Sequence, residues 1–138
     1  MEESSKQLLL KDLCARLPYG VKFLRESWNF EWDQELSVIE VLKDIDKDGY
    51  INNTKVHTVD DIKPYLFPLS SMTEEEKEEY CQLQQRVIYN SKGVINEDVM
   101  KYINWCYKKH LDINNLIPME LAIDATGLNI YDKEKMNF

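Results

Sequence analysis

The sequence predicts an α+β fold: an N-terminal helix, a small antiparallel β-sheet, then two to three C-terminal helices. Three observations predict it. Apolar residues recur at helical spacing near the start. They alternate with a period of two from Val21 to Trp32. Helical spacing then returns behind two capped starts, at Thr73 and Asn96.

Residues 1–138 read as a single domain, since the length is that of one domain and four glycines and four prolines leave little room for a linker. A hydrophobic share of 43% and a charged share of 30% suit a packed chain. At this size folding buries roughly two thirds of the surface that the unfolded form exposes, so no disulfide or metal is required.

Ser4 and Gln7 are spaced as a capping box, and Leu9, Leu10, Leu13, Cys14 and Leu17 form an apolar stripe. Pro18 ends this helix, which is expected from Ser5 to Leu17. Val21, Phe23 and Arg25 then alternate with Lys22, Leu24 and Glu26 as a strand does. Trp28, Phe30 and Trp32 continue the alternation between Asn29, Glu31 and Asp33. Glu35 to Ile45 fits neither period, but Val38, Ile39 and Val41 tilt it toward a strand. Tyr50 to Val59 is expected to pair with it across a Lys47-Asp48-Gly49 turn.

Pro64 and Pro68 punctuate the next stretch, with a short helical turn expected within Asp60 to Leu66. Thr73 and Glu76 form a second capping box for a helix from Glu74 to Gln85, whose apolar face is Tyr80, Leu83 and Val87. Arg86 to Ile95 reads as a strand-turn-strand or a loop bent at Gly93. Asn96 caps a helix carrying Val99, Ile103, Cys106 and Tyr107 and ending near His110. A fourth short helical piece carries Leu116 and Ile117 and is limited by Pro118.

Charge and cysteine content narrow the function classes. The net charge of -8 repels phosphate, and no basic patch stands out beyond Lys108, Lys109 and His110, so nucleic acid is not an expected partner. Cys14, Cys81 and Cys106 are odd in number and widely spaced, unlike a secreted disulfide framework. No apolar run reaches the length of a membrane span, and MEESSKQLLLKDL is unlike a signal peptide. A cytoplasmic protein with no membrane partner is the expectation.

Two constellations stand out as candidate partner-binding surfaces. Trp28, Phe30 and Trp32 share a face if extended, and the acids between them favour a protein partner over a nucleic acid. Their alternative role is to pack in the sheet's own core. Glu74, Glu75 and Glu78 lie in an acidic run that suits a basic partner, although acids in the first turns of a helix have a sufficient cause in its dipole.

A third constellation is a calcium candidate. In DIDKDGYINNTK, Asp44, Asp46 and Asp48 take the first, third and fifth positions of an EF-hand loop, with Gly49 sixth and the Tyr50 carbonyl seventh. Lys55 stands at position twelve, where a bidentate Glu closes the shell. A cation there opposes the ion, and the alternative is a polar turn. Cys106 and His110 stand at i and i+4, but two ligands are too few for zinc. They read as a buried thiol beside a helix-end histidine that the dipole favours. No nucleophile-base pair, phosphate loop or dinucleotide fingerprint is present, and no cofactor is expected; an enzyme with an unfamiliar site is the last alternative.

Three blocks carry a resemblance: DLCARLPYGVK, DDIKPYLFPLSSMTEEEKEEY and NWCYKKHLDINNLIPMELAI. Together they resemble a group of small proteins of Bacteroides-type gut bacteria and their phages or mobile elements, over most of the chain outside residues 25–58. Related chains carry Asn-x-His-x-Asp-Tyr-Arg-Gly-Leu-Ile where this one reads KKHLDINNLI. The resemblance implies a bacterial context and no particular activity. The resulting expectation is a non-catalytic protein-interaction or regulatory module.

Overall fold

The computed structural model describes residues 2–29, 34–89 and 97–131. Its elements in chain order are helix α1 (Glu3–Arg16), strands β1 (Lys22–Asn29), β2 (Gln34–Val41) and β3 (Ile62–Leu66), helices α2 (Glu74–Tyr89) and α3 (Glu97–Lys108), and the short strand β4 (Ile123–Asp124). This is the α+β architecture that the periodicities predict, with two helices behind the sheet among the described residues.

Helix α1 begins earlier than its expected start at Ser5. Glu2 is its N-cap and contributes no side-chain bond, so the Ser4–Gln7 box is not what starts it. Its buried face is Leu9, Asp12, Leu13 and Arg16, while Cys14 is exposed. Pro18 ends the helix as expected, through a 3-10 turn over Leu17–Tyr19. Gly20 follows at φ 64, a left-handed conformation that costs a residue without Cβ little, and aims the chain into β1.

The sheet order is β2-β1-β3-β4. β1 and β2 pair antiparallel from Lys22↔Val41 to Asn29↔Gln34. β3 adds antiparallel to β1 through Phe23↔Pro64, Leu24↔Lys63 and Arg25↔Ile62. β4 adds parallel to β3 at Tyr65 and Leu66, so the sheet is mixed rather than purely antiparallel.

Two sequence expectations fail here, each for its own reason. The strand at 34–41 pairs with β1, its neighbour in sequence, and not with Tyr50–Val59. Asn52, Asn53 and Lys55 all take positive φ, which breaks an extended run, and only the single bridge Ile45↔Ile51 remains. Pro64, read as punctuation, lies inside β3. Proline has no N–H to donate, and β4 pairs with β3 only from Tyr65 onward. The helical turn expected within Asp60 to Leu66 is a 3-10 turn over Val59–Asp61, capped by Thr58.

Alternate residues of the central strands face two cores. Phe23, Ile62 and Leu66 join Leu9 and Leu13 of α1, with Ile51, Val59, Leu116 and Leu121 closing that layer. Leu24, Tyr65 and Phe67 face the other way, toward Tyr80 of α2 and Tyr102, Trp105 and Cys106 of α3. The sheet is thus covered by α1 on one side and the α2–α3 pair on the other.

The Thr73–Glu76 capping box forms as its spacing predicts. The Thr73 hydroxyl accepts from Glu76 N at 3.1 Å, and the Glu76 carboxylate accepts from Thr73 N at 3.0 Å. α2 continues past Gln85 to Tyr89, so Arg86–Tyr89 is helix rather than strand or loop. The bend expected at Gly93 and the cap at Asn96 lie outside the described residues. The expected fourth helix is a capped turn. The Asp112 carboxylate accepts from Leu116 N at 2.8 Å and Ile117 N at 2.9 Å, and positive φ at Asn115 and Glu120 stops it from propagating.

Candidate functional site

The β1–β2 hairpin reaches beyond the rest of the sheet. Its register spans eight residue pairs, whereas β3 covers β1 only at Phe23, Leu24 and Arg25. Among the described residues, Glu26–Asn29 and the facing part of β2 therefore form a two-stranded ribbon with no third strand beside it. Among the described residues β2 is also the edge of the sheet. Val38 and Ile39 on it are 37% and 50% exposed. Where the ribbon meets the sheet, Arg25 Nη2 holds Glu40 Oε1 at 2.8 Å, a diagonal pair across the two strands. Trp28 stands opposite Glu35 in the backbone register. Phe30 and Trp32 lie outside the described residues.

The acidic start of α2 divides into separate roles. Glu74, Glu75 and Glu78 are exposed. Glu74 meets Lys77 at 3.4 Å, Glu76 serves the capping box, and Glu79 accepts from the Trp105 indole at 2.9 Å. The helix dipole explains acids in this position, and solvated carboxylates three and four residues apart cost little.

The Asp-rich loop closes on itself. Asp46 Oδ1 accepts from Asp48 N at 2.9 Å and from Tyr50 N at 3.0 Å, while the Tyr50 carbonyl accepts from Asp46 N at 3.0 Å. Asp44 is held through its backbone by Asn52, whose side-chain oxygen accepts from Asp44 N and whose N–H donates to Asp44 O. The Asp46 carboxylate and the Tyr50 carbonyl, both of which an EF-hand turns toward its ion, are here engaged in closing the turn. Among the described residues no three His, Cys, Asp or Glu side chains converge on a point that would hold a metal. The Lys47–Asp48–Gly49 turn itself is present, with Gly49 N donating to Asp46 O at 3.0 Å.

A hollow of about 210 Å³ separates this loop from α1, lined by Lys6 and Leu10 on one side and Lys47, Asp48 and Thr58 on the other. Lys6 also binds Asp60 at 3.0 Å. The hollow is smaller than a typical small-molecule site, and its charges are paired or solvated rather than convergent.

Sequence reasoning missed a buried polar centre behind the sheet. Asp12 and Arg16 are one helical turn apart on the covered face of α1, both essentially without exposure, and form a two-pronged ion pair. Arg16 Nη2 also donates to Leu111 O at 2.6 Å, and Asn114 Nδ2 donates to Asp12 Oδ2 at 2.8 Å. The guanidinium lies 4.8 Å from the centre of the Tyr107 ring. These bonds tie α1 to the segment that follows α3. The available signal was phase: positions 12 and 16 fall in register with Leu9 and Leu13.

His110 adjoins this centre. It sits just past α3 at φ 57, where Leu111 N reaches back to Cys106 O and His110 N to Tyr107 O. That is a Schellman ending, with histidine in the left-handed position usually given to glycine. The imidazole stacks on Tyr131 at 4.0 Å between ring centres. The Tyr131 hydroxyl accepts from Lys22 N at 2.7 Å and donates to Tyr65 O at 2.8 Å. Burial, then the charges of Arg16 and Lys22, push the His110 pKa down to about 3. The ring is therefore neutral, and packing rather than a charge–dipole attraction holds it at the helix end. Burial also raises the Cys106 thiol to about 11, which makes it a poor nucleophile. The centre is closed to solvent, and its chemistry is that of a structural pin.

No family model, curated protein or solved structure matches the chain. Among the described residues no helix is long and apolar enough to cross a membrane.

Proposed function

We propose that the protein is a non-catalytic interaction module of the bacterial cytoplasm, working through its β1–β2 hairpin. The observation that carries this reading is the ribbon: the strand pair runs on past β3 with no third strand beside it among the described residues. A two-stranded hairpin is marginal in water without a third strand or a packed face. A ribbon that leaves its sheet is therefore suited to being completed by a partner. Its sequence supplies what such a contact uses, with Trp28, Phe30 and Trp32 as large anchors. Glu26, Glu31, Asp33 and Glu35 beside them argue for a protein and against nucleic acid. Exposed Glu74, Glu75 and Glu78 form a second acidic surface for the same class of partner. The resemblance to proteins of Bacteroides-type bacteria and their mobile elements sets the context.

The test is affinity capture from a Bacteroides-type lysate with three baits: the native chain, W28A/W32A, and E74Q/E75Q/E78Q. The hairpin reading predicts that W28A/W32A loses the partner while its circular dichroism is unchanged. Retention of every captured protein by that variant removes the aromatic residues from the interface.

A further inference from the structure

We infer that the outer edge of β2 is a docking strand for an extended peptide rich in Lys or Arg, which joins the sheet as a fifth strand. This rests on the hairpin reading and specifies its mode and its partner's chemistry. An edge strand offers unpaired N–H and C=O groups, and folded proteins blunt such edges with Lys, Pro, bulges or very short strands. The two edges of this sheet differ in that respect. β4 is two residues long. β2 is eight residues long, contains no Lys, Pro or Gly, and pairs with β1 without a bulge. Val38 and Ile39 are consecutive, so they project to opposite faces, and both are exposed. A strand about 4.8 Å further out covers both.

Charge selects the occupant. β2 contains Glu35 and Glu40 and no cation, and Glu26 through Leu42 contains no Lys or Arg. In the antiparallel register that overlaps two copies of β2 fully, Gln34 meets Val41 and Glu35 meets Glu40, twice over. Like charges directly opposite are destabilising, and each copy also brings a net charge of -8. A second copy is therefore disfavoured. Glu35 and Glu40 fall on opposite faces and Arg25 already holds Glu40, so a strand alternating Lys or Arg with Val or Ile sets its cations along the face of Glu35 and Ile39 and its apolar side chains along the face of Val38. Backbone bonds supply affinity in this mode, and the side chains supply the choice of partner.

The experiment titrates the full chain with a ten-residue peptide alternating Lys and Val, with an alternating Glu–Val peptide as control. Heat and amide hydrogen exchange are read together. The inference expects binding of the Lys–Val peptide only, new protection of amides within 34–41, and at least a tenfold loss of affinity in I39K with an unchanged melting temperature. Absence of binding overturns it. So does binding that I39K leaves intact and that protects no amide of β2; in that case the hairpin reading still stands, since W28A/W32A tests it in the lysate. Protection of 34–41 by self-association, seen as a dimer in sedimentation, also overturns it.

Discussion

Asp12→Ala is the most informative single substitution in the core. It removes both carboxylate bonds to Arg16 and the bond from Asn114, yet leaves a guanidinium with no solvent exposure in place. Breaking a buried ion pair from one side costs about 3–5 kcal/mol, because the remaining charge is uncompensated. Domains of this kind have about 5–15 kcal/mol in total, so the variant loses a large share of its stability. Urea unfolding followed by circular dichroism measures this, with the slope checked for two-state behaviour. The companion variant D12L/R16M replaces the pair with apolar side chains of similar bulk. It should recover most of the loss, since a buried pair and a packed apolar replacement are often close in stability. A loss below about 1 kcal/mol for Asp12→Ala refutes the reasoning, because only a solvated Arg16 tolerates the change so well.

His110 makes stability depend on acid. Its folded pKa of about 3 lies below the ordinary value of 6.5, so the unfolded chain takes up the proton first as pH falls. The contribution of the neutral ring is complete above pH 6.5 and drains away between there and pH 3, at about 1.4 kcal/mol per unit where the slope is full. His110→Asn tolerates the left-handed backbone and does not titrate, so urea midpoints from pH 7 to 4 should fall less steeply in that variant. Thr73→Ala should cost about 1 kcal/mol by removing the hydroxyl that accepts from Glu76 N, and Glu76→Ala should add a smaller loss by removing the acceptor of the backbone N at 73, in the same unfolding assay. Asp46→Ala should cost about 1–2 kcal/mol through its two backbone bonds. Calcium should leave the melting temperatures of native chain and Asp46→Ala equal to their calcium-free values; a calcium-dependent rise in the native chain alone would show that the loop reopens around an ion.

Much local chemistry was legible in the sequence, although the Ser4–Gln7 box does not start α1, and long-range partnership was not. The Thr73–Glu76 box, the stop at Pro18 and the Asp46–Gly49 turn each depend on neighbours within a few residues, and each forms. The pairing of Phe23–Arg25 with Ile62–Pro64 bridges a long stretch of chain and depends on Pro64 standing where β4 makes no demand. A pattern of apolar residues also cannot see a polar pair that neutralises itself. Asp12 and Arg16 therefore have no place in the apolar stripe read for α1, although both are buried, while Cys14 was counted in it and is exposed. The strand period and the β-branched residues marked the two strands but assigned β2 the wrong partner, Tyr50–Val59; only the register shows that β2 pairs with β1 and how far that pair outruns β3.

That ribbon is best tested by native-state amide exchange on the free chain, read residue by residue along β1 and β2. Amides at Phe23–Arg25, flanked by both β2 and β3, should exchange only through near-global unfolding. Amides at Glu26–Asn29 and in the paired part of β2 should exchange far faster through local opening, and slow when a partner strand is supplied. Uniform protection to the ends of both strands in the free chain would mean that the hairpin is already packed, and would contradict the proposed role.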